Sequence, residues 1–454
     1  MKTYFLSLKV IPTEENEHYN VVEGASANFW ILENSPKNAF SKAVFYASKY
    51  DWKLTKVETP PVETTRINFI GRDIGLQNFD KAQKDGIAVV FVAWSKDGKT
   101  TLGPIKIRSS YNFNLNNFLK KIKQFKNKGR CLHYEAGERC QEIVKAHSIQ
   151  KKGALSMIAH NGYVYRLTTD ISILRKNKGR VSFQKKGIND VSTFLGFCRM
   201  HDNKLFEPID NYPLIPTNQQ VFLYGYRSLC RELFVKENSL NVMESQLNDI
   251  MDRKWIKNLF SNFRRGTALG LKDLRMHKSI YDNSIEKNLY QNIKYVLFTS
   301  IQKPFMAFSG LFCPDFDFIG RQLQDLGDHE TTLELITFCS APMKSGWGFL
   351  FSWHDSNSKV CDDFMASLAT MISEKREIGD LLFRLVISNC ENHAISPQWW
   401  ENLPEQHKEQ IIEKSSIWVS FFVNTPPSYL MEGLEGISNW KFENVITNVE
   451  QSRQ

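Results

Sequence analysis

The spacing of apolar positions predicts a small mixed domain over residues 1–105. Short apolar runs indicate strands, at Tyr4–Ile11, Ala25–Leu32, Lys53–Glu58 and Ile87–Trp94. Ser35-Pro36 supplies a capping residue and a first-turn proline, and Ala39, Ala43 and Ala47 follow at helical spacing. We predict an α+β domain of order β-β-α-β-α-β, with a break at Pro60-Pro61 and both helices on one face of the sheet.

The pattern of apolar residues changes twice along the rest of the chain. Helical periodicity dominates residues 217–295, and strand-like runs follow over residues 293–353. Helices are predicted to return at Asp362–Ser373, Ile378–Asn389 and Pro397–Lys414, before a polar tail after Gly433 that is expected to fray. The predicted class is a multidomain α+β protein. Its three parts are an N-terminal domain (1–105), a central module (106–214) and a helical plus β-meander domain (215–454).

Charge is distributed unevenly over the 454 residues. The net charge of the whole chain is only +9, but residues 101–200 hold 20 Lys+Arg against 5 Asp+Glu, which is +15 and leaves −6 for the remainder. A basic excess confined to one block is typical of a surface that contacts phosphates. The central module is therefore predicted to engage nucleic acid.

Several classes of protein are disfavoured by what the sequence lacks. No apolar run approaches the roughly 20 residues of a membrane helix, and we interpret the N-terminus as a strand instead of a signal peptide. Eight cysteines in so long a chain do not indicate a disulfide scaffold, so a cytoplasmic protein is expected. The glycine-rich phosphate loops of ATP- and dinucleotide-binding proteins are also missing.

Cysteine and histidine residues in the basic block have the pattern of a zinc site. Cys131 and Cys140 can meet across a hairpin tip that carries Gly137, and Cys198 and His201 share one side of a helix that starts there. Zinc prefers four thiolate or imidazole ligands, commonly supplied as two close pairs. These four residues are the predicted ligands, with His133 as a rival. Two buried cysteines beside unrelated polar residues are the plainer alternative.

This order of motifs resembles the treble-clef zinc modules of HNH-type endonucleases, over residues 131–210 only. The similarity rests on the cysteine pair, on Ala-His147-Ser-Ile, and on Phe-Cys198-x-x-His201-Asp202-x-x-Leu-Phe. The resemblance implies that His147 is a general base and that Asp202, in place of the family's second histidine, holds Mg²⁺ or Mn²⁺. Thr193 stands near the position of the family's asparagine.

Basic residues around these motifs are candidates for contacting nucleic acid. Lys151 and Lys152 follow His147, and two predicted strands between the motifs combine aromatic residues with Arg180, Lys185 and Lys186. Aromatic rings can stack on bases while cations contact the backbone, although core packing also accounts for most of these rings.

The competing interpretation is a non-catalytic interaction protein. The zinc module would then only join its neighbours, and the N-terminal domain would dock a protein partner. His147 would be a structural histidine, and Asp202 would be an acid favoured by the helix dipole.

Overall fold

A computed structural model gives the structure of the chain for residues 1–97, 101–105, 115–168, 170, 173, 177, 181–249, 254–328, 330–416 and 425–449. It is a multidomain α+β protein, which confirms the predicted fold class. The chain separates into two compact units. The first comprises Met1–Asn117, Ser245–Phe263 and Ser420–Asn424, and the second comprises Phe118–Glu244, Arg264–Val419 and Thr425–Gln454.

The first unit contains a five-stranded antiparallel sheet of order β3-β1-β2-β4-β5. Its strands are β1 (Lys2–Pro12), β2 (Val22–Glu33), β3 (Trp52–Thr64), β4 (Ile87–Ser95) and β5 (Thr101–Ile105). Helices α1 (Pro36–Lys49) and α2 (Asp73–Asp85) complete it, with a 3-10 turn at Arg66–Phe69. The Ser35 hydroxyl caps α1 as predicted, since it accepts a hydrogen bond from the amide of Asn38.

The prediction that both helices cover one face of this sheet was wrong. Ala39, Ala43 and Ala47 of α1 pack on the face that carries Leu6 and Leu8. Phe79 of α2 packs instead with Trp30 and Phe69 on the opposite face. Strand β4 is apolar on both sides, as a strand covered by helices on both faces requires.

The predicted strand break at Pro60-Pro61 was also wrong. Strand β3 continues through both prolines to Thr64 because it lies at the edge of the sheet, where a missing amide donor need not leave a gap in the ladder. The register between β3 and β1 shifts near Ser7, which lies opposite Thr59. Such irregularities are common where a strand contains proline.

The second unit is built on an eight-stranded antiparallel sheet of order β15-β10-β13-β12-β11-β14-β7-β8. Its strands are β7 (Tyr163–Thr168), β8 (Ser182–Gly187), β10 (Ile293–Ser300), β11 (Met306–Phe312), β12 (Ile336–Pro342), β13 (Trp347–His354), β14 (His393–Ile395) and β15 (Asn444–Thr447). A separate pair joins β6 (Ile143–His147) to β9 (Thr193–Cys198).

The helices from residue 115 onward are α3 (Leu115–Asn127), α4 (Arg199–Asp210), α5 (Asn218–Asp249), α6 (Lys254–Glu286), α7 (Ser358–Ser373), α8 (Ile378–Asn389), α9 (Pro397–Asn402) and α10 (Glu405–Ser416). A π-helical turn at Lys151–Leu155 continues into a short helical turn at Ser156–Ile158. Single 3-10 turns occur at Ile188–Asp190, Tyr290–Asn292, Asp355–Asn357 and Pro427–Leu430. None of the helices described has the length and apolar character needed to cross a membrane.

Both faces of the eight-stranded sheet are buried at its central strands. Trp347, Phe349 and Phe351 of β13 face the layer that contains α7, α8 and α10. Leu350, between them in sequence, faces α5 and α6 on the other side. This two-sided burial explains why β13 is an unbroken apolar run, since neither set of alternating side chains meets water.

Two predicted features of the C-terminal part differ from the structure. The helix predicted at Pro397–Lys414 is divided into α9 and α10 at Leu403-Pro404, because the residue before a proline disfavours helical backbone. The tail after Gly433 does not fray over the described residues. Leu434 and Trp440 are buried, and β15 pairs with β10.

Strands from both sides of the predicted domain boundary near residue 214 belong to one sheet. Strands β7 and β8 belong to the segment predicted as a separate central module, yet β7 pairs with β14 from the C-terminal part. Inside the second unit, Asn392 also donates a hydrogen bond of 2.8 Å to the hydroxyl of Ser148. The central segment and the C-terminal part therefore share backbone and side-chain hydrogen bonds.

Substitution of Gly346 in the turn between β12 and β13 is expected to destabilise the second unit. Its φ is +81°, and a Cβ atom there would overlap the carbonyl oxygen of Ser300. Gly346→Ala should lower stability by about 3 kcal/mol, combining left-handed backbone strain with a steric clash. Gly436→Ala is the control, because its φ is +70° but its Cβ would meet nothing within 4 Å. Thermal unfolding followed by circular dichroism compares the two, and equal midpoints would contradict the packing argument.

Candidate metal centre

Three segments of the second unit bring the predicted ligands together. Cys131 and Cys140 lie in the loop before β6, Cys198 ends β9, and His201 lies in the first turn of α4. Backbone hydrogen bonds hold the loop against β9, with the Leu132 amide donating to Gly196 at 2.8 Å. The Arg199 amide donates to the Glu142 carbonyl, also at 2.8 Å, which fixes the loop to the start of the helix.

The four side chains converge on a single point. Nδ1 of His201 lies 3.4 Å from the sulfur of Cys131, 3.4 Å from that of Cys140 and 3.3 Å from that of Cys198. All four potential ligand atoms lie within 4.8 Å of one another. Zinc bond lengths place sulfur and nitrogen ligands about 3.5 Å apart in a tetrahedral site. The cluster therefore has the dimensions of a site that can hold a metal ion such as zinc.

Burial disfavours the charged form of two of the four side chains, Cys131 and His201. Burial raises the pKa of the Cys131 thiol to about 11, and it lowers the pKa of His201. At neutral pH, Cys131 is therefore a neutral thiol unless a cation is present, whereas metals bind the thiolate. Metal binding would release protons from these thiols and contribute its binding free energy to the fold.

His133, the rival ligand, lies beside the cluster instead of within the four-residue set. Its ring stacks on His201 with centroids 3.9 Å apart, and its Nδ1 accepts a hydrogen bond from the Glu135 amide at 3.1 Å. The Glu135 carboxylate is 3.9 Å from Nε2 of His201. His133, Glu135 and His201 form a second group with metal-ligand spacing. His201 belongs to both groups, and its Nδ1 faces the sulfurs.

His147 ends β6 and is half-buried. Its Nε2 lies 3.4 Å from the carbonyl oxygen of Ile188, and burial lowers its pKa. A neutral imidazole that donates from Nε2 keeps a lone pair on Nδ1, which is the protonation state of a general base. The same hydrogen bond is what a structural histidine makes, so the geometry fits both interpretations.

Asp202, in the first turn of α4, is mostly withdrawn from solvent. Its Oδ1 is buried and has no hydrogen-bond partner among the described residues, and burial raises the pKa of its carboxyl group. Asp202 and His147 both lie near the ion pair in which Arg227 donates to Asp210 at 2.8 and 2.6 Å. Neither residue belongs to the two groups with metal-ligand spacing within the described part of the chain.

The predicted nucleic-acid contacts have different surroundings. Lys151, Lys152 and Lys186 are exposed, and the structure gives them no ion pair within the described ranges. Lys185 pairs with Glu401 at 3.3 Å. Arg180 lies outside the described residues.

The aromatic residues of β7 and β8 divide between surface and core. Tyr163 is 49% exposed, whereas Tyr165 and Phe183 both pack against Trp400. Tyr165 and Phe183 therefore pack in the core. Tyr163 is the one of these three rings that remains accessible.

Glu135, Arg227 and Asp210 contact or influence the predicted residues but were not themselves predicted. Glu135 carries a weak signal, because it lies between the two cysteines of the loop. Arg227 and Asp210 carry none, since their pairing depends on how α4 packs against α5. Arg227 also lies over the ring of Phe206, at 4.1 Å from its centroid, which fixes the guanidinium between the two helices.

Comparison with protein-family models, with curated proteins and with solved structures finds no match for this chain.

Loss of one predicted ligand should remove both bound metal and stability. Cys198→Ser is expected to lower the metal content of the purified protein at least about tenfold and to lower its unfolding midpoint, because a structural metal contributes folding energy. Cys313→Ser is the matched control, since Cys313 lies outside the cluster. Elemental analysis by mass spectrometry measures the metal. Equal metal content in both variants would mean that this cluster does not hold it.

Proposed function

We propose that the chain is a zinc protein whose Cys131, Cys140, Cys198 and His201 centre stabilises a module that engages nucleic acid. The observation that carries the proposal is the position of this centre within the most basic part of the chain. Residues 101–200 hold three of the four proposed ligands together with 20 Lys+Arg and 5 Asp+Glu, and the fourth ligand, His201, follows directly.

Zinc is the metal that the donor set favours. Three cysteines and one histidine are a common structural set for zinc, and soft thiolates disfavour the hard cations Mg²⁺ and Ca²⁺. All four positions of a tetrahedron are supplied by protein side chains, which is typical of a structural site. The proposed role of this metal is to fix the loop at 131–142 against β9 and α4.

The arrangement of elements supports the similarity to HNH-type modules. Strands β6 and β9 pair antiparallel, with Ile143 opposite Cys198, and α4 begins immediately after β9. His147 stands at the far end of β6, opposite Thr193. The proposed module therefore contains two paired strands followed by a helix, and the segment between the two strands carries the β7–β8 hairpin.

Exposed lysines beside this arrangement are suited to phosphate contacts. Lys151 and Lys152 begin the turn after β6, and neither is neutralised by an ion pair within the described part of the chain. A lysine that contacts a phosphate releases condensed counterions, so the affinity should fall with rising salt concentration.

Removal of these two charges should weaken binding without regard to base sequence. Lys151→Gln/Lys152→Gln is expected to reduce affinity for a labelled DNA or RNA oligonucleotide and to reduce the slope of log K against log salt by about 2. Lys359→Gln/Lys375→Gln removes two exposed charges from the C-terminal part and is the control. Fluorescence anisotropy at several salt concentrations provides the measurement. Salt-independent binding, or no binding by the unaltered protein, would refute the nucleic-acid proposal.

Metal-dependent endonuclease activity is a second candidate, favoured by the fact that the charges of one ion pair, Arg227 with Asp210, act on both His147 and Asp202. His147 would take a proton from a water molecule while the oxygen of that water attacks the phosphorus atom and the P–O bond to the leaving oxygen breaks. Asp202 would hold Mg²⁺ or Mn²⁺. A divalent cation supplies positive charge that offsets the charge developing on phosphate. The unpartnered Oδ1 of Asp202 is compatible with that role.

The two candidates differ in the expected effect of one substitution. His147→Ala should lower cleavage of plasmid DNA or labelled RNA in Mg²⁺ or Mn²⁺ by about 100-fold or more, because it removes the proton acceptor. His407→Ala on α10 is the control. Wild-type protein that binds nucleic acid without cutting it, or cleavage that is unchanged by His147→Ala, would favour the non-catalytic interpretation.

A further inference from the structure

A second candidate site lies inside the second unit, apart from the metal centre. It is a cavity of about 420 Å³ formed by α5, α6, the ends of β11 and α8, and the segments before β12 and around Tyr429. Cavities of this size accommodate small organic ligands, which bind mainly in pockets of about 300–1,000 Å³.

The cavity wall combines an apolar part with an acidic part. Leucine side chains and Phe312 provide the apolar surface, at Leu269, Leu274, Leu311, Leu333 and Leu335. The charged side chains on the wall are Glu232, Asp273, Asp315, Asp328 and Lys236, so that four carboxylates face one ammonium. This composition disfavours an anionic ligand and favours a cation with an apolar body.

Two of the four carboxylates are already occupied by partners. Glu232 pairs with the neighbouring Arg231. Asp328 accepts hydrogen bonds from the amide of Glu330 at 2.8 Å and from the hydroxyl of Thr331 at 2.5 Å. These contacts give both side chains a structural role at the margin of the cavity.

Asp315 and Asp273 differ because neither forms an ion pair within the part of the chain that the structure describes. Asp315 accepts from the Phe316 amide at 2.9 Å, and the Tyr429 hydroxyl is 3.5 Å away. Burial raises the pKa of Asp315 and of Asp273. Asp273 is partly compensated by the Leu333 amide and by the charges of His277, Lys272 and Lys236. A cation bound in the cavity would replace the solvation that these carboxylates lose on burial.

A buried hydroxyl on the same wall also lacks a partner. Ser388 lies near the end of α8 and is 9% exposed, and its Oγ forms no hydrogen bond within the described residues. Serine in a helix usually bonds a carbonyl one turn earlier. An unpaired buried hydroxyl costs free energy, and a ligand that donates or accepts a hydrogen bond in this cavity would remove that cost.

Glycines in α6 keep one side of the cavity open. Gly266 and Gly270 lie one turn apart on the wall. A Cβ at Gly266 would meet nothing within 4 Å, so packing does not require glycine there. Helix-interior glycine is nevertheless less stable than alanine. At Gly270, the missing side chain leaves room for Nζ of Lys236, which would be 3.0 Å from a Cβ.

We propose that this cavity binds a small organic cation, an amine or protonated nitrogen heterocycle that carries an apolar body. The carboxylates of Asp315 and Asp273 receive the charged nitrogen, Ser388 exchanges a hydrogen bond with the ligand, and the leucines and Phe312 enclose its apolar part. This site is independent of the metal centre and of the nucleic-acid proposal.

The test uses matched probe triplets on the full-length protein. Each triplet has one phenyl, naphthyl or indolyl body that ends in an ammonium, a neutral hydroxyl or a carboxylate group. Ligand-observed NMR should detect ammonium members, and titration calorimetry should then show saturable binding. Absence of binding by every ammonium member, or equal binding by the carboxylate members, would overturn the proposal.

Variants locate the binding in this cavity. Gly266→Leu places a side chain in the open space and should abolish binding, while its unfolding midpoint should stay the same or rise because leucine favours helix. Asp315→Asn keeps the shape and should weaken ammonium binding at least about tenfold. Asp325→Asn, outside the cavity wall, is the matched control. Unchanged affinity in both Gly266→Leu and Asp315→Asn would show that the cation binds elsewhere and would overturn the assignment.

Discussion

The convergence of three cysteine sulfurs on one imidazole nitrogen is the contact on which the architecture around it depends. The loop at 131–142 contains no helix or strand, and it approaches β9 and α4 through a few backbone hydrogen bonds and through Cys131 and Cys140. The Cys131 thiol gains little from this position without a cation, since burial disfavours its thiolate. A bound metal would convert this unfavourable packing into the strongest link between loop, strand and helix.

A network of aromatic rings and one ion pair continues from the metal centre along α4. Phe197 and Phe206 contact edge to face, and Phe206 lies under the guanidinium of Arg227. Arg227 in turn holds Asp210 at the end of α4. The position of α4 is therefore fixed at its start by the Cys/His cluster and at its end by α5. The charges of Arg227 and Asp210 also act on the pKa of His147 and of Asp202, although burial has the largest effect on both.

The two candidate sites of the second unit have opposite electrostatic character. The metal centre lies in the basic block, beside exposed lysines that suit phosphate. The cavity is lined by four carboxylates and one lysine, which suit a cation. Each site is compatible with a ligand that the other would repel.

The sequence by itself determined the elements whose pattern is local. It predicted α1 from its cap and alanine spacing, β4 from its apolar run, the β7 and β8 strands, and the multidomain α+β class. It also singled out Cys131, Cys140, Cys198 and His201, because zinc ligand types and spacings are specific chemistry. Only the tertiary structure decided which faces α1 and α2 cover, that β3 passes through Pro60-Pro61, and that β7 joins the C-terminal strands. It also decided the burial of Asp202 and the cavity beside Ser388. These features arise from contacts between residues far apart in the chain, and periodicity along the sequence carries no information about them.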